Sequence, residues 1–81
     1  MRIRVHVTPR KGVLDPQGKA VGGGLRTLGF SEVGEVRVGR VIDVEVTGLS
    51  EEQALARGRE MGRQLLANEV VEDFDVHVLR G

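Results

Sequence analysis

The sequence predicts an α+β domain of the ferredoxin-like plan, with element order β-α-β-β-α-β and a four-stranded antiparallel sheet carrying both helices on one face. Three observations lead there. Apolar residues alternate strictly with polar ones near both ends of the chain, at Ile3, Val5 and Val7 and again at Phe74, Val76 and Val78, which is the period of a half-buried strand. Two helix starts are written in side-chain chemistry, one at Asp15-Pro16 and one at Ser50 with Gln53. Between the helices lie two further valine- and isoleucine-rich runs. Two right-handed crossovers around a central hairpin close this order into the four-stranded arrangement. No linker, repeat or low-complexity tract interrupts it, so residues 1–81 read as a single domain.

Taken in order, the first strand runs through Ile3, Val5 and Val7, with Arg2, Arg4, His6 and Thr8 on its other side. In the run Val13-Leu14-Asp15-Pro16-Gln17-Gly18, Asp15 is an N-cap whose carboxylate can accept a backbone N–H. Pro16 presets the first helical turn, where its missing N–H costs nothing. Val21, Leu25 and Leu28 follow at the i, i+4, i+7 spacing of a buried stripe, and Gly29 is placed to stop the helix in the left-handed conformation. Val36 and Val38 mark one face of a second strand, and Ile42, Val44 and Val46 one face of a third. Gly39-Arg40 between them reads as a tight hairpin. Ser50 and Gln53 form a capping box, with Glu51 and Glu52 favourably set against the positive end of the helix dipole. The inner stripe of that helix is Ala54, Gly58, Met61 and Leu65, broadened by Leu55, Gly62 and Leu66, and Asn68 serves as its C-cap. Arg2, Arg4, His6, Glu35, Arg37, Asp43, Glu45, Asp75 and His77 then share the open face of the sheet, where opposite charges on neighbouring strands can pair.

Size and composition narrow the function. A chain of 81 residues buries only about 60 % of the surface its unfolded form exposes. Such a small core usually needs a disulfide, a metal or self-association. Cysteine is absent and the two histidines are far apart in sequence, which leaves self-association. No apolar run approaches the roughly 20 residues of a membrane span, and the N-terminal strand is charged, so a cytoplasmic location is expected. A formal net charge of zero provides no field to attract nucleic acid or an anionic membrane. Tyr and Trp are absent, which removes the aromatic platform on which sheets of this fold stack RNA bases.

Few residues invite a chemical reading. Gly12 to Gly18-Lys19 has five residues between its glycines instead of the four of a phosphate-binding loop, and Ala20 stands where Ser or Thr would hold magnesium. Gly22-Gly23-Gly24 falls inside the first helix, where each glycine costs roughly 1 kcal/mol relative to Ala; close approach of another backbone is a physical reason to keep them. His6 and His77 can meet only if the first and last strands pair, and they read as solvated face residues. Arg57, Arg59 and Arg63 read as a solvated helix face, with Glu60 available to pair. No nucleophile, base and oxyanion site share a spacing that would assemble an active centre. No catalytic, cofactor-binding or metal-ligating residue is therefore assigned.

With those residues laid out, the chain resembles the PurS family, the small subunit of phosphoribosylformylglycinamidine synthase. The resemblance rests on Val13-Leu14-Asp15-Pro16-Gln17-Gly18 at the first helix entry and on Val36-Arg37-Val38-Gly39-Arg40 at the hairpin. A third segment is Leu65-Leu66-Ala67-Asn68, followed by Val70, Val71, Glu72, Asp73 and Phe74. The triple glycine has no counterpart in that pattern. The resemblance implies a non-catalytic subunit of an ATP-dependent ligase (EC 6.3.5.3) of purine biosynthesis. It also implies a homodimer, extending to a tetramer in one arrangement, that joins a large PurL-type synthetase to a PurQ-type glutaminase. Ammonia from glutamine then reaches formylglycinamide ribonucleotide without escaping to solvent. ATP and magnesium belong to the synthetase, and none is expected on this chain. Candidate partner contacts are Asp15, Pro16 and Gln17, the Gly39-Arg40 tip, and Asn68, Glu72 and Asp73 in the last connection. The competing reading is a small-molecule-binding regulatory domain of ACT-like type.

Overall fold

The computed structural model describes residues 1–80 and shows an α+β fold of three strands and two helices. Strand β1 (Arg2–Pro9) is central, flanked by β2 (Arg40–Glu45) and β3 (Glu72–Leu79), and both pairings are antiparallel. Ile3 stands opposite Val44 and Val78, Val5 opposite Ile42 and Val76, and Val7 opposite Phe74. The predicted alternation is thus realised. Ile3, Val5 and Val7 are fully buried, and with Ala54 and Ala67 they make up the whole of the buried apolar core among the described residues. No helix of these residues is long and apolar enough to cross a membrane.

Helix α2 (Glu51–Met61) covers this core, and its small residues set how closely it lies. Ala54, Gly58 and Gly62 recur every four residues and are all buried. A Cβ on Gly58 would stand 2.6 Å from Val76 Cγ1 and 3.0 Å from Ile3 Cγ2, and one on Gly62 would collide with the Phe74 ring. The capping box forms as expected: the Gln53 amide donates to Ser50 Oγ (3.1 Å) and the Ser50 amide to Gln53 Oε1 (2.9 Å).

The end of this helix differs from the expectation. Residues Gly62–Leu66 form one π-helical turn, closed by the Ala67 amide donating to the Gly62 carbonyl (3.0 Å), and Ala67 is the C-cap in place of Asn68. The wider turn shifts the phase of the stripe. Leu65 swings outward to 84 % exposure while Ala67 is buried. Asn68 instead shapes the following loop, its carbonyl accepting from Val71 (3.0 Å) and Glu72 (2.7 Å) and its Oδ1 from Val70 (3.1 Å).

The expected fourth strand and its hairpin do not form within the chain. Val36–Gly39 joins no strand ladder and lies beside the Pro9–Arg10 end of β1, where Arg37 donates to the Pro9 and Arg10 carbonyls (2.9 and 2.6 Å). It runs on into β2 without turning back. A tight hairpin needs positive φ at its central residues, and among the described residues only Gly12, Gly29 and Gly48 have it. Gly39 serves instead as a point of close approach, since a Cβ there would strike the Val7 carbonyl.

Helix α1 (Pro16–Thr27) has the predicted ends but not the predicted place. Gly29 adopts φ 104°, and its amide and that of Phe30 donate to the Arg26 and Leu25 carbonyls (3.1 Å each), the glycine-terminated stop of a helix. The helix does not lie on the sheet, so only one helix covers that face within the chain. Its buried residues are Gly18 and Gly22, set against Val36. The expected inner stripe is largely in water, with Leu28 76 % and Val21 46 % exposed. Periodicity marks an apolar stripe but not what meets it, and no element of this chain reaches Leu28. The molecule is accordingly extended, 49 × 29 × 14 Å with a radius of gyration of 15.8 Å, against about 12 Å for a compact chain of this length.

A candidate assembly surface

The residues singled out in the sequence converge where the N-terminus of α1, the Val36–Gly39 segment, the start of β2 and the loop before β3 meet. Asp15 holds two of these together. Its Oδ1 accepts from the Gly18 amide (3.0 Å), the expected cap, and its Oδ2 from the Val38 amide (2.8 Å). These N–H groups, Val38 first and Gly18 second, hold the carboxyl below its ordinary range, with Arg37 contributing. A side chain at position 18 would strike the Val36 carbonyl and Asp15 itself, so the glycine lets helix and segment touch.

Arg40 and Glu72 tie the other side. Arg40 Nη1 and Nη2 donate to Glu72 Oε2 (2.6 Å) and Oε1 (3.1 Å), and Nη2 also to the Leu66 carbonyl left by the π turn (2.6 Å). Glu72 Oε1 accepts in addition from the Asn68 amide (2.8 Å). Arg40 foremost, then the Asn68 N–H, keep the Glu72 carboxyl below its usual range. The side chain of Glu72 is only 17 % exposed. Such a planar, two-bond pairing is the strong form of an ion pair. One residue on, Asp73 faces Arg10 (3.4 Å), whose amide donates to the Val71 carbonyl (2.9 Å).

A shallow groove is thereby lined by Asp15, Gln17, Gly39, Arg40 and Glu72 together with Val13, Leu14, Val38 and Val71. Pro16 opens the helix at its rim, and Asn68 lies behind Glu72. Five of the eight candidate contacts, Asp15, Gln17, Gly39, Arg40 and Glu72, thus line one groove although they come from three distant segments, while Pro16, Asn68 and Asp73 are outside its lining. Sequence reasoning missed Arg37, Val38 and the Leu66 carbonyl; a second donor to Asp15 or a second acceptor for Arg40 has no periodic signature. The charged groups here are engaged with one another and with backbone. Leu14 and Val71 of the groove lining stand exposed, 68% and 37%.

The glycine run separates into two kinds of position. Gly22 abuts Val36, whereas a Cβ on Gly23 or Gly24 would meet nothing within 4 Å. On the opposite side of the sheet the expected charge pairs form, Arg4 to Asp43 through two bonds (2.8 and 3.0 Å) and Arg2 near Glu45 (3.9 Å). His6 and His77 do meet there, their ring centres 5.1 Å apart.

Known proteins resemble this chain in both sequence and fold. Residues 2–80 match the PurS family, described as phosphoribosylformylglycinamidine (FGAM) synthase. The chain is 41% identical over 80 residues to phosphoribosylformylglycinamidine synthase subunit PurS of Synechocystis sp., covering 96% of this chain and 80% of that protein. It superposes on the crystal structure of Methanocaldococcus jannaschii PurS, one of the subunits of formylglycinamide ribonucleotide amidotransferase in the purine biosynthetic pathway. The TM-score is 0.85 at 34% identity, with 99% of this chain and 96% of that one covered. The PurS subunit of phosphoribosylformylglycinamidine synthase (EC 6.3.5.3) from Thermotoga maritima is similar with a TM-score of 0.86 at 31% identity, covering 96% and 90% of the two chains.

Proposed function

The chain belongs to the PurS family, and we propose that within phosphoribosylformylglycinamidine synthase it acts as the assembly subunit, a homodimer that bridges the synthetase and the glutaminase. Membership makes it a subunit of that ligase in purine biosynthesis. The bridging role draws its support from one observation above all, the exposure of Val21 and Leu28 on the apolar stripe of α1. A small chain cannot leave Val21, Leu28, Phe30, Leu65 and Val70 in water without losing much of the burial that stabilises it. Large exposed apolar patches mark sites of protein association.

In this proposal a second copy meets the exposed face of α1 and pairs along the free edge of β2, supplying the fourth strand of the sheet. The region of Asp15, Pro16, Gln17, Gly39, Arg40, Asn68, Glu72 and Asp73 then faces the PurL-type synthetase or the PurQ-type glutaminase. Bridging the two keeps ammonia on a closed path to formylglycinamide ribonucleotide. ATP and magnesium are bound by the synthetase and not by this chain, and the complex works in the cytoplasm. The ACT-like sensor reading is set aside, because the family match spans nearly the whole chain.

Reconstitution tests the role. Synthetase and glutaminase from the same organism are expected to use glutamine efficiently only when this chain is added, while high free ammonia restores synthesis without it. Equal glutamine-dependent rates with and without the chain would overturn the bridging role. Sedimentation of the chain alone as a monomer at micromolar concentration would overturn the dimer.

A further inference from the structure

We propose that His6, Asp75 and His77 form a binding site for a divalent transition-metal ion of the zinc class on the open face of the sheet. The site is separate from the assembly region and does not depend on the role proposed above. His6 in β1 stands directly opposite Asp75 in β3, and His77 lies two residues further along β3, so all three side chains share one face. His6 Nδ1 is 3.2 Å and His77 Nε2 3.0 Å from the same carboxylate oxygen, Asp75 Oδ1. All three ligand atoms lie within 4.8 Å of one another. A tetrahedral zinc ion with nitrogen and oxygen ligands at about 2.0–2.1 Å has ligand-to-ligand edges of about 3.4 Å. Two of the three edges are thus nearly set, and small rotations of the exposed rings adjust the third.

The backbone beneath these residues is held by the core. The neighbouring cross-strand pairs, Val5 with Val76 and Val7 with Phe74, point to the opposite, α2-covered face, with Val5 and Val7 fully buried. Strand register therefore fixes the Cα positions of the ligands before any ion arrives. Charge permits it as well. Arg4, the cation nearest in register, sits opposite His77, but its guanidinium is bound toward β2 by Asp43. Two imidazoles and one carboxylate suit Zn²⁺, Co²⁺, Ni²⁺ or Cu²⁺ and not the all-oxygen preference of Mg²⁺ or Ca²⁺. Three protein ligands on an exposed face leave a coordination position for water or for a donor from another molecule. The simpler account, an ion pair shared between two histidines, requires neither saturable metal binding nor equal dependence on all three residues.

The test is calorimetric titration of the untagged full chain with Zn²⁺ at neutral pH, with Co²⁺ as a spectroscopic substitute. One ion per chain is expected, with Co²⁺ giving visible absorption and Zn²⁺ raising the thermal midpoint. His6→Ala, Asp75→Asn and His77→Ala should each weaken binding by at least about tenfold, while Glu60→Ala on α2 leaves it unchanged. Nuclear magnetic resonance of the histidine rings needs no variant: Zn²⁺ should shift the signals of His6 and His77 together. Absence of saturable binding, binding that survives in the His6→Ala and His77→Ala proteins, or zinc that leaves both rings unmoved would overturn the site.

Discussion

Replacing Gly58 by Ala sets helix propensity against packing, and the structure says which wins. In an isolated helix the change is favourable by about 1 kcal/mol. Here the new methyl would stand 2.6 Å from Val76 Cγ1 and 3.0 Å from Ile3 Cγ2, where carbon atoms prefer about 3.5–4.0 Å. Both neighbours are β-branched and hold stiff side-chain torsions, and Ile3 is fully buried. Neither can turn away. The helix must lift by about 1 Å, and gaps of that size forfeit a quarter to a half of each contact along the seam. Overpacking of this kind costs about 1–3 kcal/mol. Taken near its upper end and reduced by the propensity gain, the net loss is about 1–2 kcal/mol, or roughly 5–15 °C in thermal midpoint for a domain of this size. The assay is thermal unfolding by far-ultraviolet circular dichroism, since Trp and Tyr are absent. Protomer concentration must be matched because self-association raises the midpoint. Ala56→Gly, on the exposed side of the same helix, calibrates propensity alone and should cost about 1 kcal/mol. A Gly58→Ala protein that melts at or above the wild type would refute the reasoning.

Three further outcomes are expected. Gly23→Ala with Gly24→Ala should hold or raise the helix content of dilute protein, because each Cβ enters open space; if the second copy approaches α1 closely, the same change weakens the dimer, read by light scattering across a dilution series. Ser50→Ala removes the capping box and should cost about 1 kcal/mol, seen as a fall in midpoint without loss of the dimer. Asp15, Asp43, Glu51 and Glu72 all have carboxyl groups held below their ordinary values. Their stabilisation is therefore complete above those values and is lost as pH falls through the depressed ones. The midpoint should be level from pH 7 to about 5 and drop below about pH 4, and Glu72→Gln should make that drop shallower.

Much of the local architecture was legible in the residues. Asp15-Pro16 and the Ser50–Gln53 box announced where helices begin, because a cap is formed by groups three residues apart. Gly29 announced where α1 ends, because only glycine enters the left-handed region without cost. Alternation in β1 and β3 identified the core face, and it placed Arg4, Asp75 and His77 on the open one. Of the candidate contacts chosen from sequence, Asp15, Gln17, Gly39, Arg40 and Glu72 come to line one groove, a convergence that their separate segments did not reveal.

What failed was whatever depended on a partner distant along the chain. Val36 to Val38 has the composition of a strand, but Arg37 reaching Pro9 and Arg10, and Asp15 reaching Val38, hold it in place without a ladder. The stripe of Val21, Leu25 and Leu28 is a correct helical face, yet within the chain only Leu25 is even half-buried, and Val21 and Leu28 stand exposed. Leu65 follows an α-helical period until a single π turn shifts the count. His6 and His77, separated by most of the sequence, become neighbours of one Asp75 oxygen only through the register of β1 and β3. By itself, then, the amino-acid order determined where both helices start, where α1 stops and which face of β1 and β3 is apolar, since these are decided by contacts within a turn or two. Tertiary structure alone decided what each face meets, because the contacts that choose among partners span 23 to 69 residues and leave no period in the sequence.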